Sequence, residues 1–212
     1  YTTAKSYQEA TILFTDFKGF TETSAKITAR KLVGELNDIF KGFDHIMGQY
    51  GVEKIKTIGD AYMAVCGLPV ENKNHALVAV RAAQSMLDFL EKRGKKADIK
   101  WRMRVGLHSG PLIAGVVGAK KFTFDVWGDT VNTGARMESG GEPGKINISQ
   151  NTYDLVKGYF KCEHRGKILA KGKGEIDMYF IEEEISSLNV KGKSKNQAIL
   201  VGKVKAFVEK RN

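Results

Sequence analysis

Asp16 and Asp60 occupy matching settings along the chain. Asp16 ends the apolar run Ala10-Thr-Ile-Leu-Phe-Thr-Asp16 and is followed by Phe17-Lys18-Gly19-Phe20. Asp60 belongs to a Gly59-Asp60 pair between two β-like runs. Adjacent strands of one sheet would bring both carboxylates to one place. Two close carboxylates repel unless a cation stands between them, and carboxylate oxygens suit Mg²⁺ or Mn²⁺. Gly19 would let backbone N–H groups at a helix start face a triphosphate. On spacing alone a plainer reading stands beside this one, with Asp16 a helix cap and Asp60 a turn residue.

A second constellation runs Asp125-Val-Trp-Gly-Asp-Thr-Val-Asn132-Thr-Gly-Ala-Arg136. Asn132 and Arg136 are four apart, so a helix puts them on one face. An amide beside a guanidinium suits a ribose and a developing phosphate charge. The same spacing also describes a solvated helix face. Other chemistries find no support. Gly144-Lys145 lacks the earlier glycine and the following Ser/Thr of a phosphate loop, since Ser139 and Ile146 stand there. There is no HExxH, no G-x-S-x-G and no EF-hand loop. His45, His75, His108 and His164 lie far apart without ligand spacing and read as structural or surface residues.

The elements that must carry these residues follow from periodicity. Residues 10–16 read as a buried strand. Leu32, Val33, Leu36, Ile39, Phe40, Phe43, Ile46 and Met47 recur at helical spacing and stop before Gly51. Residues 52–58 and 61–66 form a hairpin about Gly59-Asp60. A second amphipathic helix spans 73–92. Ile99, Trp101, Met103, Val105 and Leu107 alternate as a strand, and another apolar run follows the break Gly110-Pro111. Residues 119–124 read as a loop or projecting arm. Asp129 caps a helix to about Glu138. A strand at 145–148, a helix at 150–159 and two strands within 164–182, joined by Lys171-Gly-Lys-Gly174, complete the pattern. Interleaved helices and hairpins predict an α+β, ferredoxin-like (palm-like) sandwich. Its sheet is mostly antiparallel and flanked by helices.

The chain has 212 residues, 42% hydrophobic and 27% charged, as expected of a globular domain. That length predicts one large domain, over 1–184, and a basic C-terminal tail, 185–212, part of it helical. Of the net charge of +10, +6 falls on the tail, which carries seven Lys/Arg against Glu209. The mildly basic remainder argues against nucleic acid as the main partner. Two cysteines without CxxC spacing suit a reducing, cytoplasmic compartment.

Four motifs in order carry a resemblance. Phe-Thr-Asp16-Phe-Lys-Gly-Phe-Thr, Lys54-Ile-Lys56-Thr-Ile-Gly-Asp60-Ala-Tyr-Met, Gly106-Leu-His-Ser-Gly-Pro and Asp125-Val-Trp-Gly-Asp-Thr-Val-Asn132 with Arg136-Met-Glu closely resemble the class III nucleotidyl cyclases. The resemblance spans about residues 8–183. It implies that Asp16 and Asp60 bind two divalent cations, Mg²⁺ or Mn²⁺, and that Lys56 and Asp125 read the base. It further implies that Asn132 orients the ribose, Arg136 stabilises the transition state and Lys171 contacts the triphosphate. Phe17, Gly19 and Phe20 would lie along the substrate. In this family one active site draws on two subunits. A chain holding all seven key residues therefore implies a homodimer with two complete sites.

Base choice follows from donor and acceptor logic. Lys56 can donate to adenine N1, and Asp125 can accept from its 6-amino group. Guanine presents the reverse pattern, and guanylyl cyclases of the family place Glu and Cys at these positions. The expectation is therefore an adenylyl cyclase acting on ATP. Beside it stand a guanylyl or mixed-specificity cyclase and a non-enzymatic basic module binding nucleic acid or membrane through its tail. Cyclases of this family sit behind sensor or membrane domains, so any membrane attachment is expected through flanking domains.

Overall fold

The computed structural model describes residues 3–118, 122–170 and 174–185. Its first half alternates strand, helix and hairpin: β1 (Thr3–Phe17), α1 (Phe20–Ser24), α2 (Ala29–Tyr50), β2 (Glu53–Ile58), β3 (Ala61–Cys66), α3 (His75–Gly94) and β4 (Met103–Val117). The second half adds β5 (Thr123–Trp127), α4 (Asp129–Ser139), β6 (Ile146–Ser149), α5 (Gln150–Val156), β7 (Phe160–Ala170) and β8 (Gly174–Glu184).

One eight-stranded sheet runs β2-β3-β1-β4-β6-β8-β7, with β5 paired to β4 off this path. All pairings are antiparallel except β4 with β6. The order β2-β3-β1-β4, with helices α2 and α3 in the crossovers, is the split β-α-β arrangement of ferredoxin-like folds. The expected α+β fold class is therefore observed.

Local chemistry sets the elements. The Thr28 side chain accepts from Lys31 N–H at 3.2 Å and opens α2, while Gly51 closes it in the left-handed region at φ 66°. Ile39, Phe43, Ile46 and Met47 face inward from that helix. One core lies between α2, α3, α5 and a face of the sheet, with Leu13, Phe43, Tyr62, Met86, Leu107 and Ile148 among its fully buried side chains. A smaller core of Ile12, Met63, Val65, Leu112 and Val126 lies apart from it.

A polar chain crosses the larger core. His75 Nδ1 lies 2.7 Å from Thr11 Oγ1, which lies 2.7 Å from Ser109 Oγ, which lies 2.9 Å from Thr152 Oγ1. All four residues are buried. Burial holds the His75 imidazole below its ordinary range, partly offset by the charge of Glu9.

Several boundaries differ from the sequence reading. β4 runs through Gly110-Pro111 without a break. Opposite Pro111, β1 carries a bulge between Tyr7 and Ala10, so a residue without an N–H faces an irregular stretch of ladder. β1 begins at Thr3, not 10, and β4 begins at Met103, with Trp101 preceding it. β5 starts at Thr123, inside the segment expected to be loop. Asp129 stands in the first turn of α4, and the residue at its N-cap is Gly128. α5 stops at Val156, short of 159. The tail after Ile185 lies outside the described residues.

Candidate active site

β1 and β3 are hydrogen-bonded neighbours, which brings the end of β1 beside the Gly59-Asp60 turn. Gly59 adopts φ 62°, a value that L side chains rarely take, and Ile58 pairs with Ala61 across the turn. The Phe17 N–H donates to Asp60 Oδ2 at 3.2 Å. Burial, and next the charge of Asp16, raise the Asp60 carboxyl above its usual range. The two aspartates are therefore close enough to repel, the condition that a bound cation relieves.

The donor set fits a divalent cation of the Mg²⁺ type. Among the described residues no group of three or more His, Cys, Asp or Glu is arranged to hold a metal by itself. Mg²⁺ needs only one or two carboxylates when substrate phosphates and water complete its octahedron. Asp16 and Asp60 are two carboxylates of the kind such an ion would take.

α4 lies against β1 and β4 because glycines leave room for it. A Cβ on Gly106 would come within 1.9 Å of the Glu138 backbone nitrogen, and one on Gly134 within 2.5 Å of Ile12 Cγ2. Thr130 Oγ1 donates to the Pro111 carbonyl at 2.5 Å and ties down the start of the helix. Thr130, Thr133, Gly134 and Met137 are buried. Asn132 is exposed and Arg136 half-buried. Arg136 Nη1 is buried without a hydrogen-bond partner among the described residues.

Lys56 and Asp125 are brought together. Lys56 Nζ donates to Asp125 Oδ2 at 2.6 Å, and Asp125 Oδ1 accepts from Val126 N–H at 2.9 Å. Phe17 and Phe20 flank the Gly19 turn. Phe17 is buried, and both rings pack on Trp101 at centroid distances of 5.4 and 5.7 Å. Lys171 lies outside the described residues.

Two residues that the sequence reading passed over stand in this site. Arg104 Nη2 donates to Asp16 Oδ2 at 2.7 Å, and its Nε lies 2.8 Å from Glu138 Oε1. The second contact lies off the N–H axis, so it is an ion pair and not a hydrogen bond. Burial raises the Glu138 carboxyl, the Arg104 charge opposes this, and the charges of Asp16 and Asp60 reinforce it. Arg104 occupies a polar position of an alternating strand, which is the signal that could have marked it.

The family model described as "Adenylate and Guanylate cyclase catalytic domain" matches residues 2–183. The chain is 42% identical over 184 residues to the receptor-type guanylate cyclase gcy-28 of Caenorhabditis elegans, covering 84% of this chain and 14% of that protein. It is 38% identical over 178 residues to an adenylate cyclase of Mycobacterium tuberculosis, covering 84% of this chain and 40% of that protein. The crystallised guanylate cyclase domain of RhGC from Catenaria anguillulae, in complex with GTP, superposes with a TM-score of 0.80 at 34% identity. That match covers 85% of this chain and all of the other. The chain thus spans less than half the length of these curated relatives. No helix among the described residues is long and apolar enough to cross a membrane.

Proposed function

The chain belongs to the adenylate and guanylate cyclase catalytic domain family, and from that premise we propose that it converts ATP to 3′,5′-cyclic AMP and pyrophosphate. The observation that carries the choice of base is the contact of Lys56 with Asp125 at 2.6 Å. A donor and an acceptor side by side match the N1 acceptor and 6-amino donor of adenine. Guanine would set its N1–H against Lys56 and its O6 against Asp125, leaving buried polar groups mispaired. A second reading, a guanylyl cyclase, is favoured by the 42% identity to a receptor-type guanylate cyclase. Turnover of ATP against GTP, with Mg²⁺ and with Mn²⁺, decides between them.

In this reading Asp16 and Asp60 hold two divalent cations. When bound, such cations would lower the pKa of the ribose 3′-OH and neutralise charge on the pyrophosphate that leaves. The 3′-oxygen, its proton released to water, attacks the α-phosphorus in line, a P–O bond forms, and the bond to the β,γ-pyrophosphate breaks. Asn132 orients the ribose, and Lys171 contacts the triphosphate. Arg136 stabilises charge gathering on the α-phosphoryl oxygens, a role supported by its buried Nη1 without a partner among the described residues.

Asn132 and Arg136 serve the site whose aspartates belong to a second copy of the chain. Exposed apolar side chains along β4 and β5, Ile113, Val117 and Trp127, support pairing through that region. Ile113 and Trp127 are directly opposed in the β4–β5 ladder.

A further inference from the structure

The positive charge of residues 1–184 is gathered in one place. Residues 92–102 run from the last turn of α3 up to β4. They carry six Lys/Arg against Asp98, a net charge of +5, while the rest of residues 1–184 has a net charge of −1. Arg93 pairs with Glu35 and Lys95 with Glu91. Lys92, Lys96, Lys100 and Arg102 are exposed and have no carboxylate partner among the described residues. The start of α2 extends this surface, because Lys31 Nζ donates to Asp98 Oδ2 at 3.0 Å. There Arg30 is exposed, also without a carboxylate partner among the described residues. Val33, three residues on and so on the same side of the helix, is 64% exposed.

The kind of cation and its surroundings narrow what this face can hold. Four of the six cations are lysines. An ammonium is a hydrated point charge without the fork that reads base edges or grips one phosphate at two points. Single-stranded nucleic acid also needs exposed aromatic faces on which bases stack. Trp101, the one aromatic residue of the segment, is buried, and its Nε1–H donates to Glu35 Oε2 at 3.0 Å. A bilayer surface asks only for clustered positive charge facing many mobile anionic headgroups. An exposed valine among cations suits the boundary between headgroups and acyl chains.

We propose that this face docks on an anionic phospholipid surface, with residues 92–102 against the headgroups and Arg30 and Val33 at the margin. The contact is peripheral and held by charge. It does not depend on which nucleotide the site takes.

The test is co-sedimentation of the full chain with vesicles of phosphatidylcholine and phosphatidylserine, against vesicles of phosphatidylcholine alone. The wild type binds the mixed vesicles at about 0.1 M salt and is released at about 1 M, where screening is much shorter in range. Lys92→Gln, Lys96→Gln and Lys100→Gln together weaken binding about fivefold per charge, or about 10²-fold in all. Arginine at the same three positions keeps the binding, as a contact made by charge requires. All three side chains are exposed, so the variants fold, which thermal melts check. The tail is basic too, so Lys203→Gln, Lys205→Gln and Lys210→Gln remove the same charge there for comparison, with a smaller loss expected. No binding to the mixed vesicles, or equal binding to phosphatidylcholine alone, overturns the proposal. So does a segment variant that binds as wild type, or a larger loss from the tail variant. Tighter binding to a short DNA duplex than to the mixed vesicles, lost with the same three lysines, overturns it in favour of nucleic acid.

Discussion

Lys56 Nζ stands 2.6 Å from Asp125 Oδ2 and joins β2 to β5, two strands that do not pair with each other. Each group therefore already has a polar partner of opposite charge. A base that binds between them must offer each an equivalent. Lys56→Glu combined with Asp125→Cys should lower kcat/KM for ATP by about 10²-fold or more and raise the relative use of GTP. Steady-state assays with both nucleotides check this. An unchanged ATP-to-GTP ratio would show that these residues do not read the base.

Asp16→Ala and Asp60→Ala should each reduce cyclic nucleotide formation to background with either Mg²⁺ or Mn²⁺. Both residues are only half-buried, so circular dichroism and melting should show a folded chain. Chelation of divalent cations should silence the wild type in the same way. Substantial turnover in either variant would remove the two-cation assignment.

Sharing of sites between subunits has a quantitative consequence. Arg136→Ala alone should lose about 10²–10³-fold in kcat, and Asp60→Ala alone should be inactive. A mixed dimer of the two has one site with both lesions and one site with none. Random association makes half the dimers mixed, so about a quarter of wild-type activity should return in a symmetric two-site dimer. Mixing without recovery, while sizing shows free subunit exchange, would exclude sharing.

Gly106→Ala places a Cβ within 1.9 Å of backbone that cannot swing aside. Overpacking of this kind costs about 1–3 kcal/mol, or more where nothing relaxes. Denaturant unfolding should show that loss. Because α4 must lift, kcat should fall further than stability alone explains. Equal stability to wild type would mean that α4 has another route to the same seat.

His75 gives a pH dependence of stability with a definite sign. Burial lowers its folded pKa below 6.5, so near and below that pH the unfolded chain binds a proton that the folded chain refuses. Its contribution is complete above about pH 6.5 and is lost as pH falls toward the folded pKa, at no more than about 1.4 kcal/mol per pH unit. Urea unfolding from pH 7.5 to 5 should show stability dropping on the acid side, with a shallower slope in His75→Gln. Equal slopes would assign the acid loss to other groups.

The elements with strong periodicity were legible in the sequence. α2 announces itself through Ile39, Phe43, Ile46 and Met47, all buried as the spacing requires. The Gly59-Asp60 turn also follows from local pattern, whereas the placement of Asp16 beside Asp60 depends on the pairing of β1 with β3, which spacing alone left open. What escaped was non-local. Gly110-Pro111 reads as a break because Pro lacks an N–H, yet the bulge that accommodates it lies on β1 about a hundred residues earlier in the chain. The Arg104–Glu138 contact depends on α4 settling onto Gly106, and no spacing within β4 or α4 encodes it. Phe17 and Phe20 sit next to Asp16 in sequence, but their rings turn to Trp101.

The hydroxyl chain in the larger core works as a key for strand alignment. Apolar alternation alone tolerates a slip of β1 against β4 by two residues, since the same faces stay buried. Thr11 pairs with Ser109 in the same unbroken stretch of ladder that pairs Asp16 with Arg104. A two-residue slip would part Thr11 from both His75 and Ser109, leaving its hydroxyl and the imidazole of His75 without these partners in a dry interior, while Ser109 would keep only Thr152. A set of buried hydroxyls and an imidazole thereby helps to fix which residue on β4 stands across from Asp16.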